Sequence, residues 1–327
     1  MSSKYSFLSI RSEQDFERAV LKLFYSQYRL VPIYRSYVEL LRINPRDVNH
    51  IEQIPFLPIQ FFRTQEVYRT TSTKPKLVFT SSGTSGAETS RHYITEPSVY
   101  EHALLAGFRH FYDDPKRMCI LALLPSYLER ENSSLVYMVN HLITSTKRKE
   151  SGFYLNNTDE LVHQLTELDK LGYRTLLLGV AFALLDLAEH HKLKLRNTIV
   201  METGGMKGRR AEIPRDELHK KLRSAFGVSK IHSEYGMTEL LSQAYSKGDG
   251  IFLCPPWMRV LTRDITDPRV VQRSGRGGLN IIDLANIYSC AFVQTDDLGT
   301  VHPDGSFEVH GRLDNAPLRG CNLLLED

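Results

Sequence analysis

Two short segments, far apart in the chain, carry residue types suited to a phosphate-bearing ligand. Thr80-Ser81-Ser82-Gly83-Thr84-Ser85-Gly86 follows the apolar run Lys76-Leu77-Val78-Phe79, and Tyr235-Gly236-Met237-Thr238-Glu239 lies well downstream. Glycines let backbone N–H groups come close to an anion and hydroxyls add donors, so the first segment is suited to cradling phosphates. The second ends in a carboxylate, the group that holds Mg²⁺ against phosphate oxygens. A Ser/Gly loop standing alone is more often a plain turn. No Gly-Lys-Ser/Thr follows it, so it is not a Walker P-loop.

Such segments act only if the fold brings them together. From Lys76 onward, apolar strand-like runs alternate with helix-length amphipathic stretches. Strands are expected at Lys76–Phe79, Met118–Leu124, Thr175–Leu178, Thr198–Glu202 and Lys230–His232. Helices are expected at Pro97–Tyr112, Ser133–Thr144, Thr158–Leu171, Ala181–His191 and Arg215–Phe226. That alternation predicts an α/β fold, with right-handed crossovers and a mostly parallel sheet flanked by helices. After about Gly248 the chain turns to short strands and turns, which predicts a smaller β-rich subdomain. The expected division is 1–247 and 248–327.

Ligands of open parallel sheets bind beyond the carboxyl ends of the strands. The Thr80–Gly86 loop, Gly204-Gly205-Met206-Lys207 and Glu234–Glu239 each follow a predicted strand, so all three are expected on one rim. Upstream, Gln14–Tyr28 has helical periodicity with Phe16, Val20, Leu23 and Phe24 on one face. Pro32 interrupts it before a second helix over Ile33–Leu41. The segment Ile54–Phe62 is too apolar for a solvated linker and is expected to pack along the body.

The 327 residues are 42% hydrophobic and 24% charged, with a net charge of +3, ordinary values for a soluble protein. Charges of both signs are interleaved and give no nucleic-acid signature; Lys147-Arg148-Lys149 reads as a solvated helix end. Met1–Phe16 lacks the apolar core of a signal peptide, and no stretch reaches the ~20 apolar residues of a membrane span. A cytoplasmic location is expected. Cys119, Cys254, Cys290 and Cys321 show no zinc or disulfide spacing. Cys119 and Cys290 lie in apolar runs and read as core; Cys254 is left open between loop and core.

The two opening segments, in this order, resemble those of the adenylate-forming superfamily, acyl-CoA ligases and related enzymes that activate carboxylic acids with ATP. The resemblance implies a large-domain-like fold in which Thr80–Gly86 wraps the β- and γ-phosphates. It implies Thr238 at the α-phosphate, Glu239 on Mg²⁺, and Gly204, Gly205, Tyr235 and Gly236 around the nucleotide. The ribose-gripping acid matches Asp297 in Thr295-Asp296-Asp297-Leu298-Gly299, and a second ribose contact matches Arg312 in Gly311-Arg312-Leu313-Asp314. Taken alone, Asp297 reads as a turn cap and Arg312 as a surface ion pair.

A closer resemblance is to the acyl-protein synthetase (LuxE-type) branch, from about residue 54 onward. It rests on Pro125-Ser126-Tyr127-Leu128-Glu129-Arg130, Glu202–Gly208, Glu234–Tyr245 and the ending Arg319-Gly320-Cys321-Asn322. It implies that a fatty acid is activated as its adenylate and passed to Cys321 as a thioester, for use by a partner acyl reductase. A thiolate is a strong nucleophile, and a nearby cation such as Arg319 favours it; without the resemblance Cys321 reads as a buried cysteine. Two departures from the wider superfamily stand out. Ala87-Glu88-Thr89 replaces the lysine expected after the glycine loop, so Lys207 or Arg91 is expected to supply that charge. The mobile carboxy-terminal domain with its catalytic lysine is expected to be absent after Asp327. An acyl- or aryl-CoA ligase is the alternative enzyme, and a non-catalytic nucleotide- or acyl-binding partner the alternative of another class. Phe61, Phe62, Tyr127 and Trp257 are candidates for lining an acyl tunnel or an aryl pocket.

Overall fold

The computed structural model describes residues 3–70, 74–81, 89–125, 132–155, 157–204 and 213–313. Of the sequence candidates, Ser82–Gly86, Tyr127, Gly205, Lys207 and Cys321 lie outside these residues.

The chain opens with two helices. The first, α1 (Glu13–Leu30), is capped by Ser12, whose hydroxyl accepts from the Asp15 N–H, and it carries Glu13 and Asp15 in its first turn. Phe16, Val20, Phe24 and Gln27 form its buried stripe. Pro32 then begins α2 (Pro32–Leu40), where its missing N–H costs nothing. Ile54–Phe62 packs along the body as expected: β1 (Leu57–Pro58) pairs in parallel with a strand near the far end of the chain, placing Leu57 opposite Val293. The short α3 (Phe61–Thr64) follows.

The run after Lys76 forms β2 (Leu77–Thr80), antiparallel to β3 (Arg91–Ile94). These two make a separate ribbon. The glycine loop therefore joins the strands of a hairpin; it does not follow a strand of the main sheet, as the alternation predicted. The loop is too short for a crossover, so its two strands pair with each other.

Next come α4 (Pro97–Tyr112), β4 (Cys119–Leu123), α5 (Ser134–Thr146), β5 (Gly152–Tyr154), α6 (Thr158–Lys170), β6 (Thr175–Val180) and α7 (Ala181–His190). They are followed by β7 (Thr198–Thr203), α8 (Arg215–Phe226) and β8 (His232–Tyr235). The order β5-β4-β6-β7-β8 is parallel throughout. Every residue of β4 and β6 is buried, as strands covered on both faces require. One predicted boundary shifts: β8 runs on to Tyr235, so Glu234 and Tyr235 are strand residues rather than loop.

Beyond Tyr235 the pairing turns antiparallel. Strands β9 (Ala244–Ser246), β10 (Phe252–Leu253), β11 (Met258–Arg263), β12 (Val271–Gln272), β13 (Gly275–Asp283), β14 (Phe292–Val301) and β15 (Phe307–Arg312) extend the same sheet. Its full order is β12-β11-β13-β14-β15-β10-β9-β8-β7-β6-β4-β5, with β1 beside β14, thirteen strands in all. The parallel pairing is thus concentrated in the stretch from Cys119 to Tyr235, where helices supply the crossovers. Short connections after Tyr235 leave room only for antiparallel neighbours.

Candidate active site

The Tyr235–Glu239 segment leaves the end of β8 and is pinned before the chain enters β9. The Gly236 position is set by close approach: a Cβ there would overlap the Glu234 carboxylate. The fully buried His92 on β3 holds the Thr238 carbonyl, with Nδ1 at 2.8 Å, and places Nε2 2.8 Å from the Ser289 hydroxyl. A carbonyl only accepts, so Nδ1 carries the proton and Nε2 accepts from Ser289. Burial lowers the imidazole to about 4, which keeps it neutral in this role.

Asn286 donates to the Glu239 carbonyl at 2.8 Å, and the buried Gln27 of α1 in turn donates to the Asn286 carbonyl at 2.7 Å. Further along, Asp283 accepts from the Leu241 and Ser242 N–H groups at 2.8 and 2.9 Å. The Ser242 hydroxyl also takes a bond from the Trp257 indole at 2.9 Å. Each of these residues is buried and hydrogen-bonded, with the Asn286 Oδ1 alone among their side-chain atoms left without a partner, so the loop between β8 and β9 is held as a rigid element.

Two acids face this rim. Glu239 is 4% exposed, and burial raises its carboxyl above the ordinary range. The nearby Ser90 and the charges of Arg63 and Arg312 pull in the opposite direction. Asp297 sits inside β14 opposite Arg312 of β15, at a register shift between Leu298 and Gly299. It is no turn cap. Its carboxylate accepts from the Tyr235 hydroxyl at 2.7 Å and from Arg312 Nε at 3.2 Å. The Arg312 side chain is 78% exposed, leaving the rest of the guanidinium open to solvent. Beneath Asp297 lies Arg263, a buried guanidinium that donates to the Thr295 carbonyl at 2.6 Å and the Leu279 carbonyl at 2.9 Å. It fits because a side chain at Gly278 would meet it at 2.5 Å.

The structure thus joins Tyr235, Asp297 and Arg312 directly and sets Glu239, at the end of the same Tyr235–Glu239 segment, within reach of the Arg312 charge. Ser81 is tied to Ser90, the residue just before β3, whose carbonyl accepts from the Ser81 N–H at 3.0 Å. Gly204 follows β7 with a φ of 64°. Sequence reasoning missed Ser90, His92, Arg63, Asn286 and Gln27. The one available signal was the alternation Ser90-Arg91-His92, two polar residues on one strand face directly after the glycine loop.

Other expectations resolve differently. Phe62 and Trp257 are core residues: Phe62 meets the His92 ring edge-on, and Trp257 packs against Phe7. Arg91 is exposed and donates to the Arg63 carbonyl at 3.4 Å. Cys119 and Cys290 are buried as expected, and burial pushes the Cys254 and Cys290 thiols up to about 12. Neither of those two is set up as a nucleophile. Among the described residues no three His, Cys, Asp or Glu side chains gather around a common metal position. A divalent cation at Glu239 would need phosphate oxygens and water to complete its shell, which is how Mg²⁺ is usually held. Among the same residues no helix is long and apolar enough to cross a membrane.

No family model matches the chain. In sequence it is 22% identical, over 94% of its length and 86% of the relative's, to the long-chain-fatty-acid–luciferin-component ligase of Aliivibrio fischeri. Among solved structures it is similar to a 2-hydroxyisobutyryl-CoA ligase in complex with 2-HIB-AMP and CoA. That match has a TM-score of 0.68 and 16% identity, covering 96% of this chain and 72% of the other. ATP-bound MatB from Rhodopseudomonas palustris superposes with a TM-score of 0.55 and 15% identity over 75% of this chain, which spans only 49% of MatB. The amide bond synthetase McbA from Marinactinospora thermotolerans gives 0.52 at 18% identity, covering 75% of this chain and 50% of that enzyme. The fold is that of the adenylate-forming ligases, and the sequence is similar to that of the luciferin-component ligase.

Proposed function

We propose that the protein activates a fatty acid with ATP and Mg²⁺, then carries the acyl group on Cys321 for a partner acyl reductase. The observation that carries this reading is the Asp297 carboxylate joined to the Tyr235 hydroxyl and to Arg312, with Glu239 within reach of the Arg312 charge. Asp297 and Arg312, side by side at 3.2 Å, offer an acceptor and a donor to a ribose diol. Thr238 and the hydroxyls of Thr80–Gly86 would bind the phosphates, and Gly204, Gly205 and Gly236 would border the nucleotide. Glu239 supplies the anionic ligand for Mg²⁺, whose charge stabilises the phosphates when bound. Arg63, together with Lys207, replaces the lysine expected after the glycine loop.

In the first step a carboxylate oxygen attacks the α-phosphorus, a P–O bond forms, and pyrophosphate leaves. In the second the Cys321 thiolate attacks the acyl carbon, a C–S bond forms, and AMP leaves with the electron pair of the broken C–O bond. The two steps use different residues. Incubation with ATP, Mg²⁺ and a fatty acid should add one acyl mass to the protein, labile to neutral hydroxylamine. Cys321→Ser should lose that adduct and keep acid-dependent ATP–pyrophosphate exchange. An adduct on Cys119, Cys254 or Cys290 would overturn the role of Cys321, and rapid acyl-CoA release by the Cys321→Ser protein would make this a coenzyme A ligase.

A further inference from the structure

We infer that the amino-terminal end of the parallel sheet, away from the candidate site, docks on an anionic lipid surface, with Leu171 as the side chain that enters it. The inference stands independently of the nucleotide reading. Strands β5, β4, β6 and β7 are parallel neighbours, so the connections that lead into them gather at one end. Residues 113–117, 147–150, 167–174 and 192–196 supply those connections. Together they carry ten basic and five acidic side chains, a net of +5. The whole chain is only +3, so everything else is net −2. The charges are interleaved along the sequence, and the crossovers collect the positive ones at this end.

Contacts join these connections into one surface. The Arg148 guanidinium lies over the Tyr173 ring, 5.2 Å from its centre. Asp113 faces Arg117 at 3.1 Å and Arg174 at 3.9 Å, one carboxylate for two guanidiniums. Asp169 accepts from the Arg196 and Asn197 N–H groups at 2.9 and 2.7 Å, so it is engaged by backbone rather than by a side-chain cation. Among the described residues no ion pair holds Lys116, Lys147, Lys149 or Arg196, and all four are exposed. At the centre is the turn from α6 to β6, residues 171–174, exposed throughout and reversed at Gly172 with a φ of 75°. Leu171 is 68% exposed and Tyr173 39%. A lone exposed leucine is ordinary, but one held out beside a tyrosine and ringed by cations has the make-up of a membrane-surface contact. A side chain standing out from a turn needs a surface that yields around it. A bilayer does so, whereas a folded acidic partner would need a matching pocket. The Tyr235–Glu239 segment leaves the opposite ends of these parallel strands, so docking here leaves the candidate site uncovered.

The test is co-sedimentation of the full chain with vesicles of phosphatidylcholine, alone or mixed with phosphatidylglycerol. The wild type should bind the mixed vesicles, should bind them about tenfold or more weakly in ~0.5 M salt, and should bind pure phosphatidylcholine little. The pair Lys149→Gln and Arg196→Gln, whose side chains have no ion-pair partner to lose, should weaken binding roughly tenfold and flatten its salt dependence. Leu171→Ser should weaken it several-fold and keep the salt dependence. As a control, Arg18→Gln with Arg269→Gln removes the same charge from α1 and from the β11–β12 connection, at the far edge of the sheet, and should bind as the wild type does. A wild type that does not sediment with the mixed vesicles, an equal loss in the control pair, or full binding by both the Lys149/Arg196 pair and Leu171→Ser would overturn the docking surface. Retention on immobilised poly-glutamate without vesicle binding would overturn it in favour of an acidic protein partner.

Discussion

Two acid-bearing regions lie at the ends of neighbouring strands, and what faces their carboxylates separates them. At the rim, Glu239 is met by Ser90, Arg63 and Arg312, and Asp297 by Tyr235 and Arg312. Between β7 and β8, Glu234 is met by the Thr203 hydroxyl and by the charge of a second acid, Glu202. Glu202 in turn lies 3.5 Å from Arg215 Nε and from His219 Nε2 of α8, too far for a good hydrogen bond. Both regions bury their acids, so burial does not distinguish them. Cations and donors converge on the rim around Glu239 and Asp297. Glu234, pushed up to about 7 by burial and by Glu202, is placed to keep its proton.

That contrast is open to direct attack through Glu234. Its carboxyl titrates at about 7 in the folded protein against an ordinary 4.5, so across that window the folded state holds a proton the unfolded chain has released. Stability from this group therefore falls as pH rises from about 4.5 to 7 and stays level above, a full cost on the order of 3 kcal/mol. Glu234→Gln should remove that downward slope in urea unfolding across the window, with nucleotide affinity little changed. Matching slopes in both proteins, or a collapse of nucleotide binding, would erase the distinction between the two regions.

A smaller effect is expected at the rim. Asp297→Ala removes the acceptor for the ribose and leaves Tyr235 and Arg312 without their shared partner. AMP affinity should drop by about 2 kcal/mol, with acid half-saturation in the exchange assay unchanged. Unaltered AMP affinity by calorimetry would make Asp297 a strand-bracing residue, as Arg263 is beneath it.

Much of this was legible in the sequence where a local rule governs. Pro97 and the pattern that follows marked α4 to the residue, and Arg215–Phe226 was equally plain, because helix caps and periodicity are local. The strand run before the glycine loop was seen, but its pairing was not. Register and partner are set by chain segments that close over it, here β3 and α3, and no window of sequence reports them. The same holds for the site. Motif residues such as Glu239 and Asp297 announce themselves by neighbours in sequence. Their supports do not: Gln27 reaches the site through Asn286, 259 residues away. A buried Gln on a helix stripe looks like a break in the pattern until its partner is known.

Carboxylic acid-dependent exchange of labelled pyrophosphate into ATP, measured in Mg²⁺ for the wild-type protein and Glu239→Gln across a panel of fatty acids, tests the central claim most directly. The account predicts exchange with at least one long-chain acid in the wild type. It predicts a loss of about a hundredfold or more in a correctly folded Glu239→Gln protein, since the anionic ligand that holds the phosphate-neutralising Mg²⁺ is gone. Exchange that survives the substitution, or a wild type that binds Mg²⁺ and ATP yet supports no exchange with any acid, would contradict it.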